Sequence, residues 1–161
     1  MIRVLMMVLI SFISAGFSES RLTEGEKLQF VARVIFSEAA GTSQVDRLLV
    51  AKVIKGRIGH PGFGKHENAY QVVNAPGAFS CINSNSLWDK PIEDFNKKEL
   101  HIWQECLSLA RYIPAMRKSS EVVYYHDHRI EKPKSWDNRW WWSHLVIKTE
   151  HFSFYGAKPR K

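Results

Sequence analysis

Cysteine is scarce in this chain. There are two among 161 residues, Cys81 and Cys106. Neither belongs to a spaced Cys/His set, so nothing in the sequence points to a zinc site. Acidic residues are also few: 16 Asp and Glu stand against 23 Lys and Arg, for a formal charge of +7. Such an excess fits an acidic partner, whether nucleic acid, an anionic membrane or an anionic cell-wall polymer, although it also serves plain solubility. No internal repeat and no low-complexity segment is present. The longest apolar run, Val4 to Ile13, is too short to span a membrane comfortably. With Arg3 before it and small residues after it, the run has the layout of a secretory signal peptide over residues 1–18. Gly16 and Ser18 fit the −3 and −1 positions of a cleavage site, and an uncleaved export segment is the alternative. Export implies an oxidising compartment, so a Cys81–Cys106 disulfide is weighed against two buried thiols.

The remainder, residues 19–161, has the length of one domain with a real core. It is aromatic-rich, with six Trp, five Tyr and nine Phe in the whole chain. Residues 23–41, TEGEKLQFVARVIFSEAAG, organise it. Thr23 followed by Glu26 is a capping-box signature, and Leu28, Val31, Ala32, Ile35 and Ala39 recur at helical spacing. Gly41 fits a left-handed stop. Glu38 falls on the shoulder of the apolar stripe, beside Val31 and Val34, in the last turn. A half-buried acid at the negative end of a helix dipole is placed as a general acid needs to be. The plainer reading is a surface glutamate on a fraying end.

A second helix opens at Ser43, with Asp46 as box partner. Val45, Leu48, Leu49, Val53, Ile54 and Ile58 form its buried side, and Lys52, Lys55 and Arg57 face water. Residues 59–91 lose the helical period and read as a folded, irregular region, with a short helical turn near Tyr70–Val73. Asp94 fits the cap of a third helix from Phe95 to about Tyr112, with Ile102, Trp103, Cys106, Leu109, Ala110 and Ile113 facing the core. Strand-like runs follow at 121–126, 145–149 and 151–155. The architecture expected is α+β, mostly helical, with a small antiparallel sheet near the C-terminus.

Several pieces recur together. Ser37-Glu38-Ala39-Ala40-Gly41, a helix ending Lys55-Gly56-Arg57-Ile58, the run Pro76-Gly77-Ala78-Phe79-Ser80-Cys81, then Tyr124-Tyr125-His126, Pro133, Trp136 and His151-Phe152 with Tyr155 form an ordered set. That set resembles the cell-wall hydrolases of the spore-cortex-lytic (SleB-like) family, over roughly residues 28–155. Ala40 and Thr42 occupy positions where that family usually has an arginine and an acidic residue.

The resemblance implies a lysozyme-like domain that cuts peptidoglycan glycan strands between N-acetylmuramic acid and N-acetylglucosamine, as a lytic transglycosylase or a muramidase. It makes Glu38 the catalytic acid and base. It offers Phe79, Ser80, Tyr125, His126 and Trp136 as substrate-binding residues. It implies no cofactor and no metal, although His126 and His128 lie on one face of a strand. A transglycosylase can work with one carboxyl group, whereas a hydrolase normally needs a second, for which Asp89, Asp127 and Asp137 are candidates. Indole faces stack on sugar rings, so Trp136, Trp140, Trp141 and Trp142, with Arg129, Lys132, Lys134 and Arg139, suit a glycan, a wall surface or a membrane surface. The enzyme is expected to be monomeric and exported, to the periplasm or wall, and not to act on nucleic acid. Two rivals keep the composition without this chemistry: a non-catalytic peptidoglycan-binding module, and a secreted nuclease built on His126 and His128.

Overall fold

The computed structural model of the chain describes residues 22–83, 86–117, 122–129 and 142–157. The proposed signal segment, residues 1–18, lies outside them. Helix α1 (Glu24–Ala39) begins at the expected capping box: Glu26 N donates to Thr23 Oγ1 at 3.2 Å, and Thr23 N donates to Glu26 Oε2 at 2.7 Å. Its burial is wider than one stripe. From Val31 to Ala39 every residue except Arg33 and Glu38 is buried, while Leu28 is only half-buried. The cause is packing on several sides, by α2 (Gln44–Arg57), α3 (Ala69–Asn74), α4 (Ser86–Asp89) and α5 (Lys97–Tyr112). The helix is the central post of the domain.

Its C-terminal end corrects the expectation at Gly41. Positive φ among the described glycines occurs at Gly59, Gly64 and Gly77, not at Gly41. The stop is made instead by Thr42 and Arg47. Thr42 Oγ1 donates to Ala39 O at 2.9 Å, and Arg47 Nη1 donates to Thr42 O at 2.8 Å. Arg47 also binds Glu105 Oε2 on α5 through Nε and Nη2, at 3.0 and 2.6 Å. A cation at a helix C-terminus satisfies orphan carbonyls and complements the dipole.

Helix α2 starts at the Ser43/Asp46 box as expected. Val45, placed on the buried side by periodicity, is 55% exposed. Arg57, placed in water, is buried, whereas Lys52 is exposed and Lys55 reaches Pro114 O at 2.8 Å. Residues 59–83 and 86–91 are irregular, with short 3₁₀ turns around α3 and α4, and Val72, Val73 and Phe79 anchor them in the core. The third long helix, α5, is capped by Asn96 and not by Asp94. Asp94 ends a 3₁₀ turn, and Phe95 is extended and stacks on Phe36 at 4.8 Å, so the helix cannot begin before Asn96. Cys81 and Cys106 are separate, buried thiols.

The sheet has the order β1-β3-β2, from β1 (Tyr124–Asp127), β2 (Trp142–Lys148) and β3 (Phe152–Ala157), with both pairings antiparallel. Tyr125 pairs with Phe154, and Asp127 with Phe152. Phe152 and Phe154 are buried in the core, so this face of the sheet closes onto the helices. Among the described residues no helix is long and apolar enough to cross a membrane.

Candidate active site around Glu38

Glu38 stands on the last turn of α1, half-buried where most of its helix neighbours are fully covered. Its Oε1 accepts the backbone N–H of Cys81 at 3.1 Å. The Cys81 thiol and the Tyr125 hydroxyl also lie close enough to this carboxyl group for its charge to act on both. Three segments far apart in sequence therefore meet on one side chain: the end of α1, the 3₁₀ turn Ser80–Asn83, and β1.

Aromatic packing brings the last two into place. The Tyr125 ring lies 5.5 Å from Phe152, 5.8 Å from Phe154 and 6.5 Å from Phe79. Burial, and then the negative Glu38, raise the phenol of Tyr125 well above its usual pKa. It is held as a neutral donor. The same two causes, in the same order, push the Cys81 thiol up, so it is no thiolate nucleophile.

Behind the carboxylate lies Arg57, at the C-terminus of α2 and 7% exposed. Its Nε donates to Val123 O and its Nη1 to Ala78 O, both at 2.9 Å. Its guanidinium carbon sits 4.8, 4.9 and 5.6 Å from the ring centres of Phe63, Phe79 and Tyr124. Burial lowers its pKa, and the nearby Tyr125 and Tyr124 hydroxyls and Glu38 oppose that effect. Gly56 makes the approach possible: a Cβ there would lie 2.3 Å from Val122 O.

The residues proposed from sequence divide clearly. Glu38 and Tyr125 are in contact. Phe79 is buried against Arg57 and Tyr125 and forms support behind the site. Ser80 is exposed, next to Cys81 at the rim. His126 follows Tyr125 in the strand, so its side chain leaves the opposite face, where its register partner is Ser153. Trp136 lies outside the described residues, as do Trp140, Trp141 and Asp137. Of the other acids, Asp89 is exposed on α4, and Asp127 is bound by Arg129, with Nη2 to Oδ2 at 2.6 Å and Nε to Oδ1 at 3.0 Å. The Arg129 hydrogen bonds hold its carboxyl below the usual value despite partial burial. Among the described residues no group of three His, Cys, Asp or Glu could hold a metal ion. At the far end of the stretch 76–81, Lys65, His66, Gln71 and Asn74 line a polar hollow with Ala75 and Pro76.

Cys81 and Arg57 escaped the sequence reading as site residues. The available signal was Gly56, a glycine inside a helix, which marks a close backbone approach.

A family model described as cell wall hydrolase matches residues 41–155. The matched span begins three residues after Glu38. Among solved structures, the catalytic domain of the Bacillus cereus SleB protein is similar, at 18% identity and a TM-score of 0.56. The match covers 84% of this chain and 93% of that one, and it shows a shared fold. No curated protein matches the chain significantly.

Proposed function

The chain belongs to the cell wall hydrolase family, and from that premise we propose that it cuts the glycan strand of peptidoglycan between N-acetylmuramic acid and N-acetylglucosamine, with Glu38 moving the proton. The observation that carries this reading is the setting of Glu38: half-buried, hydrogen-bonded by the Cys81 N–H, faced by the Tyr125 hydroxyl, and backed by a buried arginine.

In the reaction Glu38 gives its proton to the glycosidic oxygen as the C1–O bond breaks. The carboxylate left behind faces an oxocarbenium-like muramyl unit and stabilises it. Glu38 then takes the proton of the muramyl 6-hydroxyl, whose oxygen bonds to C1 and closes an anhydro ring. This route needs one carboxyl group. It is favoured here because Asp127, the described acid on the face of Tyr125, is engaged by Arg129 and is not free to activate a water. A muramidase would place water where the 6-hydroxyl attacks.

Ser80 and Trp136 are proposed to contact the sugar chain, with Phe79 and Tyr125 supporting the site. The positive charge draws the enzyme to wall carboxylates and phosphates, and residues 1–18 carry it out of the cytoplasm.

Glu38→Gln tests the reading. Clearing of purified wall material should fall about 1,000-fold, while the protein still sediments with that material. A Glu38→Gln protein that clears walls as well as the parent overturns the assignment. A parent that binds walls and never clears them identifies a binding module. Mass spectrometry separates the two routes, since an anhydro end weighs one water less than a hydrolysed end.

A further inference from the structure

Arg57 has no part in proton transfer, yet its surroundings are unusual for a cation. It is buried, and its two described hydrogen bonds go to neutral carbonyls. Among the described residues no carboxylate lies within ion-pair distance of it. Taking a guanidinium out of water is costly, and an apolar side chain of similar volume often packs such a place better. The two carbonyls explain its presence. Ala78 lies three residues before Cys81, and Val123 lies two residues before Tyr125. The Cys81 N–H hydrogen-bonds Glu38 at 3.1 Å, and the Tyr125 hydroxyl lies close enough for the Glu38 charge to act on it.

We propose that Arg57 is a positioning residue for Glu38, one planar guanidinium that sets the spacing between the two segments whose donors hold that carboxylate. The inference rests on the reading of Glu38 given above. The rings of Phe63, Phe79 and Tyr124 fix the plane of the fork, and Gly56 lets it reach β1. Lysine cannot replace it, because a single ammonium on a flexible stem does not reproduce two in-plane donors. The ionisable groups that face this pair are Cys81 from the 3₁₀ turn and Tyr124 and Tyr125 from β1.

Two variants test the proposal: Arg57→Lys, and the milder Phe63→Leu, which removes part of one half-buried wall of the clamp. In Arg57→Lys, kcat on peptidoglycan should fall about 10- to 100-fold with KM within about twofold, as expected for a misplaced catalytic group. Phe63→Leu should move kcat the same way by less. Hydrogen exchange gives a reading that needs no substrate. The Cys81 amide should exchange about 10-fold faster, as a hydrogen bond that opens locally does, with the amides of Val50 and Ile54 unchanged. An unchanged Cys81 amide overturns the proposal, as does unchanged kcat, or faster exchange across the whole core together with a matching fall in melting temperature. Because the exchange is read without substrate, it judges Arg57 even if Glu38→Gln shows that the proton moves elsewhere.

Discussion

Asp46 Oδ2, fully buried at the start of α2, lies 3.4 Å from His151 Nδ1 in the turn between β2 and β3. The same oxygen accepts from Ser43 N at 3.1 Å and Ser43 Oγ at 2.9 Å. One carboxylate thus caps a helix and ties it to the sheet. Burial alone would raise its pKa, but hydrogen bonds from Thr149 and Ser43 and the nearby His151 outweigh burial and hold it below the usual value. A carboxyl group lowered on folding adds stability above its unfolded pKa and loses it as pH falls through the folded one. The melting temperature should therefore drop as pH is taken below about 4. Asp46→Asn should cost about 1–3 kcal/mol at neutral pH and flatten that acid limb. Thermal denaturation of both proteins across pH measures this.

Gly56→Ala should destabilise the protein, although alanine is favoured over glycine inside a helix by about 1 kcal/mol. The added Cβ would meet the carbonyl oxygen of Val122 at 2.3 Å and the Val123 side chain at 3.2 Å. Backbone on the far side must move, so overpacking wins, with a net cost of about 1–3 kcal/mol. Denaturant unfolding checks the sign. Activity should fall further than stability explains, since β1 carries Tyr125.

How far the sequence revealed this fold follows from the range of the interactions. The boxes at Thr23/Glu26 and Ser43/Asp46 are legible because both partners lie three residues apart. The cap of α5 was read two residues early because Phe95, drawn into the core by Phe36, extends the chain before the helix starts. Periodicity and the resemblance single out Glu38, and the structure places it half-buried with the Cys81 N–H on its carboxylate. Periodicity places Arg57 in water because its partners, the carbonyls of Ala78 and Val123, leave no pattern in the sequence around α2. Gly41 was read as a stop because nothing nearby shows that Arg47 turns back onto Thr42 O.

Tyr125→Phe removes the hydroxyl that faces Glu38 and leaves the ring packing intact. We expect kcat to fall about 10-fold with little change in KM, and stability to drop by about 1 kcal/mol. Because the phenol is raised far above its ordinary value, its loss of a proton cannot produce an alkaline fall in rate near pH 10. Phenolate absorbance should show one tyrosine that ionises only when the protein unfolds.

Arg47→Ala should be among the more damaging single changes outside the site. The Arg47 side chain is 7% exposed and its partner Glu105 is 21% exposed. The change leaves Glu105 without its cation and uncovers Thr42 O at the end of α1. Discounted for the partial exposure of Glu105, the cost is about 2–4 kcal/mol. Glu105→Ala should cost less, since Arg47 keeps its hold on Thr42. The order of the two melting temperatures decides this.

Of the two groups that act on Glu38, the Cys81 N–H comes from the middle of the chain and the Tyr125 hydroxyl from late in it. Tyr125 sits on β1, and among the described residues β1 pairs with β3 alone, the last described element. A chain ending before residue 152 would keep the Cys81 N–H but lack the strand that pairs β1 and places Tyr125 beside Glu38. The seat of Glu38 thus spans the first and the last described elements, and no shorter stretch of the chain holds it complete.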